Sequence, residues 1–96
     1  MRIFNRSTVQ AFAADHRLGK EAVWRWHRLA SGARWTCFQD VRLVDPTVSM
    51  VGDRLIFNLN GNRFRLIARV DWSAGFLFIR FIGTHADYNR INAQEI

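Results

Sequence analysis

At 96 residues the chain has room for one domain, residues 1–96, around one modest core, and its 49% hydrophobic and 23% charged share exclude a disordered chain. Fourteen Lys and Arg face eight Asp and Glu for a formal net charge of +6, and since Lys20 is the only lysine the cation is almost wholly guanidinium, the group suited to bidentate phosphate recognition and base stacking. A polyanionic partner such as nucleic acid fits that balance, whereas lone Cys37 excludes an intrachain disulfide and a cysteine-based metal cluster.

The expected elements run as follows. Arg2 to Phe4 reads as a short strand. Ser7 is the expected N-cap of a first helix, in which Val9, Phe12, Ala13 and His16 recur at helical spacing. A break at Leu18-Gly19 leads into a second helix from Lys20, with Ala22, Val23, Trp26, Leu29 and Ala30 as its buried stripe and Gly32 as its stop. The two form a helical hairpin with one apolar side. Trp35 and Phe38 flank Cys37 and predict a buried structural thiol. The four tryptophans, Trp24, Trp26, Trp35 and Trp72, are read as core.

From Trp35 onward the periodicity becomes that of strands. Val41 to Val44 and Val48 to Val51 read as short ones, divided by Asp45-Pro46, and Gly52-Asp53 as a tight turn. Leu55, Phe57 and Leu59 then alternate up to Asn60-Gly61, a strong hairpin signal because both residues tolerate positive φ. The next strand, from Arg63, sends Phe64, Leu66, Ala68, Val70 and Trp72 to one side and Arg63, Arg65, Arg69 and Asp71 to the other. After Ser73-Ala74-Gly75, the segment Phe76 to Gly83 is apolar on both faces except at Arg80 and predicts a central strand. Thr84 caps a short C-terminal helix that brings His85, Asp87 and Tyr88 to the edge carrying the arginines. Antiparallel pairing through two tight hairpins is the simplest topology.

Those groups match the needs of RNA cleavage without a metal or cofactor. A base takes the proton of a ribose 2′-OH, cations stabilise the charge growing on the phosphorane, and an acid protonates the leaving 5′-oxygen. His85 is the natural acid or base, because histidine titrates near neutrality. Asp87 orients it or is itself the base, while Tyr88 stacks on a nucleobase, donates a proton, or packs its ring in the core. Arg63, Arg65, Arg69 and Arg80 are the phosphate-gripping candidates, with internal pairing to Asp71 or Asp87 the other role open to Arg80. The scattered histidines and isolated acids show no metal-ligand spacing. Nothing approaches the ~20 apolar residues of a membrane span, and the first residues lack the apolar core of a signal peptide, so a cytoplasmic protein without a membrane partner is expected.

The run Val51-Gly-Asp-Arg-Leu-Ile-Phe-Asn-Leu-Asn-Gly-Asn62, continued by Arg63-Phe64-Arg65-Leu66 and closed by Ile79-Arg80-Phe81-Ile82-Gly83-Thr84-His85-Ala86-Asp87-Tyr88, resembles the HigB-type toxins of bacterial type II toxin–antitoxin modules, within the RelE superfamily. The likeness extends through Val23, Trp26, Trp35 and Asp40-Val41. It implies an α+β, RelE-like fold: an N-terminal helical hairpin packed on a small antiparallel sheet, with a short C-terminal helix. It also implies an mRNA interferase, an endoribonuclease that cuts messages in the decoding site of the translating ribosome. Its partners would be a helix-turn-helix antitoxin of the HigA kind and, only through that complex, operator DNA. Matched onto this chain, the family's basic positions fall on Arg63, Arg65 and Arg69, and its terminal group on His85, Asp87 and Tyr88. Asn89 and Asn92 depart from it by standing where acids are common. Two alternatives keep the fold or the charge without the reaction: a gyrase-inhibiting toxin of the ParE kind, and a module that binds RNA or the ribosome without cutting.

Overall fold

The computed structural model describes all of residues 1–96. In chain order it contains β1 (Arg2–Phe4), α1 (Arg6–Asp15), a 3-10 turn (Arg17–Gly19), α2 (Lys20–Gly32), α3 (Phe38–Val44), β2 (Ser49–Val51), β3 (Arg54–Leu59), β4 (Phe64–Asp71), β5 (Phe76–Thr84) and α4 (His85–Tyr88). The strands form one sheet in the order β1-β5-β4-β3-β2.

The sheet is mixed, which corrects the wholly antiparallel expectation. The pairs from β2 to β5 are antiparallel, but β1 lies parallel to β5, with Ile3 opposite Leu77. A parallel partner needs a crossover, and the helices and strands between Phe4 and Phe76 supply it. The outcome covers the free edge that β5 would otherwise expose.

Alternation builds the main core on one face. Leu55, Phe57 and Leu59 of β3, Phe64, Leu66, Ala68 and Val70 of β4, and Leu77 and Ile79 of β5 pack in one cluster with Val9, Phe12 and Ala13 of α1 and Val23, Trp26 and Ala30 of α2. Each large apolar side chain buried there contributes about 1.5–3 kcal/mol. Leu29, expected in the stripe of α2, is 44% exposed. Trp26 and Trp35 are core, while Trp24 and Trp72 are half-buried against it. Ile56 and Ile67 are buried too, but outside that cluster. They belong to the opposite face, where the chain's end returns: Arg54 Nε donates to the carbonyl of Ile96 at 2.8 Å.

Several local expectations are corrected. Asn5, not Ser7, occupies the N-cap position of α1, and it caps without a side-chain bond. Gly32 is the last residue of α2 rather than the residue beyond it. Cys37 is exposed. Val41 to Val44 lies in α3, because the Asp40 carboxylate in its first turn accepts from both the N–H and the hydroxyl of Thr36, at 2.9 and 3.0 Å. These bonds hold the Asp40 carboxyl below its ordinary range. Only Val41 of that segment is buried, a pattern one helical turn satisfies and a strand does not.

Two features of the central hairpins place the arginines. Asn60 and Gly61 take positive φ, 52° and 68°, yet Leu59 pairs with Phe64, so the loop has four residues, Asn60 to Arg63, instead of two. Arg63 therefore sits in the loop and not on the basic face of β4. Across the sheet Ile67 pairs with Phe81 and Ala68 with Ile79, so Arg80 is the extra residue of a bulge.

Candidate active site

Arg65 is the second residue of β4, and its partner in β5 is Gly83. A Cβ on Gly83 would come within 2.7 Å of the Phe81 ring and 3.3 Å of an Asp87 carboxylate oxygen, so Phe81 and the first turn of α4 pack closely against this glycine.

Immediately after Gly83 the chain turns into α4. Thr84 caps it by a reciprocal arrangement in which the Asp87 N–H donates to Thr84 Oγ1 at 3.1 Å and the Thr84 N–H to the Asp87 carboxylate at 3.4 Å. The His85 N–H donates to the carbonyl of Arg63 at 3.2 Å, tying the helix to the β3–β4 loop. This fixed start brings three side chains together. Arg65 Nη2 lies 3.2 Å from His85 Nε2 and donates to Asn62 Oδ1 at 3.2 Å, while its guanidinium carbon stands 4.5 Å from the centre of the Tyr88 ring. The His85 and Tyr88 rings meet edge-on at 6.3 Å.

The charge of this group is uncompensated. None of the chain's ion pairs involves Arg65, and its Nε is buried with no hydrogen-bond partner. A buried donor left unpaired costs about 1–3 kcal/mol, which a bound anion would relieve. A guanidinium is a donor only, so the nitrogen it meets, His85 Nε2, presents a lone pair. The ring hydrogen then belongs to Nδ1, which faces the side-chain amide of Asn89 at 3.2 Å. That amide must turn its oxygen to the ring, an orientation hydrogen-bond logic assigns.

Asp87 is thus occupied by the cap of α4, and the group on the second nitrogen of His85 is Asn89. Arg63 presents an exposed side chain to a cleft of about 480 Å³ that His16, Arg17, Phe64 and His85 also line. Arg69, four residues along β4 from Arg65, is about 13 Å away at ~3.3 Å per residue. It belongs to another cluster, with Asp53 at 3.8 Å and its guanidinium over the Phe78 ring at 4.7 Å. Arg80 is exposed at the bulge and pairs with neither Asp71 nor Asp87. Nowhere do three or more His, Cys, Asp or Glu side chains gather as metal ligands.

Asn62 and Asn89 hold the ends of this constellation and were not among the expected site residues. Asn89 was findable: it follows His85 by four, the spacing that puts two residues of a helical turn on one side. Asn62 was not, because its contact depends on the length of the loop.

A family model described as HigB_toxin, RelE-like toxic component of a toxin–antitoxin system, matches residues 19–91. No curated protein matches the chain. The matched span contains β3, β4, β5 and α4, and with them every residue of the Arg65 group.

Proposed function

Since the chain belongs to the HigB toxin family, the RelE-like toxic component of a toxin–antitoxin system whose partner is an antitoxin, we propose that it is an endoribonuclease that cleaves mRNA at Arg65, His85 and Tyr88. The observation that carries this reading is the half-buried guanidinium of Arg65, unpaired by any carboxylate and with its Nε unsatisfied, 3.2 Å from His85 Nε2.

An RNA phosphate entering here takes the place of missing partners. Arg65 turns its fork onto the non-bridging oxygens and, held over the Tyr88 ring, stabilises the charge of the phosphorane. Released from Arg65, His85 Nε2 exchanges a proton with the reacting oxygens. One ribose 2′-oxygen loses its proton and bonds to phosphorus, the bond to the 5′-oxygen breaks, and that oxygen leaves protonated, giving a 2′,3′-cyclic phosphate and a 5′-hydroxyl. His85 and Tyr88 share the two proton transfers. Arg63 grips a flanking phosphate from the loop, and Asp87 works through the cap that aims His85. Arg69 and Arg80 act on more distant RNA.

In keeping with the family, α1 and α2 serve as the RelE-like helical hairpin over the sheet, and cleavage takes place on translating ribosomes in the cytoplasm. The antitoxin is a helix-turn-helix protein of the HigA kind that carries the toxin to operator DNA. No helix of the chain is long and apolar enough to cross a membrane.

Mapping 5′ ends on a translated reporter mRNA, with and without ribosomes, tests the proposal. Cuts in codon register that require ribosomes and vanish in Arg65→Ala and His85→Ala are expected. A folded protein that leaves the message intact under every condition, or that blocks supercoiling instead of translation, would overturn it.

A further inference from the structure

The cleft beside His85 shares a wall with a second one. Arg17 lines the first together with Arg63 and His85, and also lines the second, of about 440 Å³ on the outer side of α2, whose other walls are Lys20, Glu21, Trp24 and Arg28. Packing fixes this adjacency. A Cβ on Gly19 would lie 2.7 Å from the Phe12 ring and 3.0 Å from the Phe64 ring, so the turn rests directly on the first residue of β4.

Beyond the turn, Lys20, Trp24 and Arg28 follow at intervals of four, one above another on α2 with a rise of ~6 Å per step. The cations of this row are poorly neutralised. Glu21, its only acid, reaches out to Arg25 at 3.7 Å, and both side chains are well exposed. Arg6 adds a further guanidinium over the Trp24 ring at 5.1 Å. The same field is felt one turn along: burial first, and the charge of Arg6 second, hold His27 below its ordinary value.

We propose that this row is a phosphate track that binds the single-stranded RNA next to the cleaved nucleotide, leading it from Arg65 and His85 past Arg17 onto α2. The inference rests on the endoribonuclease reading of the Arg65 site. Proximity favours RNA over an acidic protein segment, because the row shares Arg17 with the cleft that holds Arg63 and His85. One face of Trp24 is covered by Arg6, so the contacts are with phosphates and the track is indifferent to base sequence.

The test uses the full chain and fluorescent single-stranded RNA of about 4 and about 16 nucleotides, the range one small site spans. Anisotropy titrations over a salt series compare the wild type with Lys20→Glu/Arg28→Glu, and with Arg42→Glu, an exposed cation of α3, as control. The double variant is expected to bind the long RNA at least tenfold more weakly, to reduce the slope of log K against log salt by about 0.7 per cation removed, and to bind the short RNA like the wild type. Lys20→Gln/Arg28→Gln gives the same reading at half the charge change if the reversed pair fails to fold.

Unchanged affinity for the long RNA, equal weakening by Arg42→Glu, or loss of antitoxin binding in place of RNA binding would each overturn the track. The outcomes also separate the two readings. A wild type that holds long RNA through the row but never cuts it defeats the enzyme and keeps the track, and one that cuts without needing the row does the reverse.

Discussion

Arg65 and Arg69 stand on the same face of the same strand, four residues apart, each over an aromatic ring, and differ in the polar groups around them. Arg69 faces Asp53, and its register partner Arg54 bonds to that same carboxylate and to the carbonyl of Ile96, so one carboxylate within the chain offsets part of the charge at that end. Arg65 has an amide, an imidazole, an aromatic face and one empty donor. An arginine that shares a carboxylate is partly neutralised by the fold, whereas one left without a counter-charge in a half-buried place seeks an anion from outside.

Substituting the two in parallel breaks or sharpens this contrast most directly. Arg65→Ala should reduce RNA cleavage by about 10²–10³-fold, the usual loss on removing one donor to a developing anion, with little change in thermal stability. Arg65→Lys should not restore it, because a point charge cannot reproduce the fork. A variant with near wild-type cleavage rates would remove Arg65 from the reaction. The cap comes next. Thr84→Ala should cost α4 about 1 kcal/mol, read as a lower melting temperature, and slow cleavage as well because His85 and Tyr88 ride on that helix.

Arg69→Ala should lower stability by no more than about 1 kcal/mol, since its pair with Asp53 is partly exposed, and should leave turnover within a few-fold of the wild type. A loss matching that of Arg65→Ala would merge the two ends into one site. Acid provides the mildest test. The Ser73 hydroxyl and the Ala74 N–H, with Arg69 a lesser cause, hold Asp71 below its ordinary range. A carboxylate with a depressed folded value stabilises the native state above its unfolded value near 3.9 and loses that contribution as pH falls through the folded value. Melting curves from pH 5 downward should therefore show an acid loss that Asp71→Asn reduces, while Arg65, with no carboxylate partner, takes no part in it.

Much of this was legible in the sequence, for reasons that lie in particular residues. Alternation from Phe64 to Val70 set the core face of β4, and Thr84 predicted the cap that starts α4, although not that Asp87 completes it. The helix over Val41 to Val44 was hidden because β-branched residues resemble a strand, and a side-chain bond from Asp40 decided otherwise. Cys37 misled because apolar neighbours in sequence do not determine which way a side chain faces.

The sequence by itself determined the hairpins, the apolar faces and the excess of guanidinium over carboxylate, because strand alternation, turn chemistry and charge are local or additive properties. Tertiary structure alone decided which arginine is half-buried without a carboxylate. Asp53 reaches Arg69 through the pairing of β3 with β4, the four-residue loop takes Arg63 off the strand, and the bulge at Arg80 sets β5 so that Gly83 lies opposite Arg65, just before α4 brings in His85 and Tyr88. Register and loop length are agreements between distant segments, and no single segment contains them.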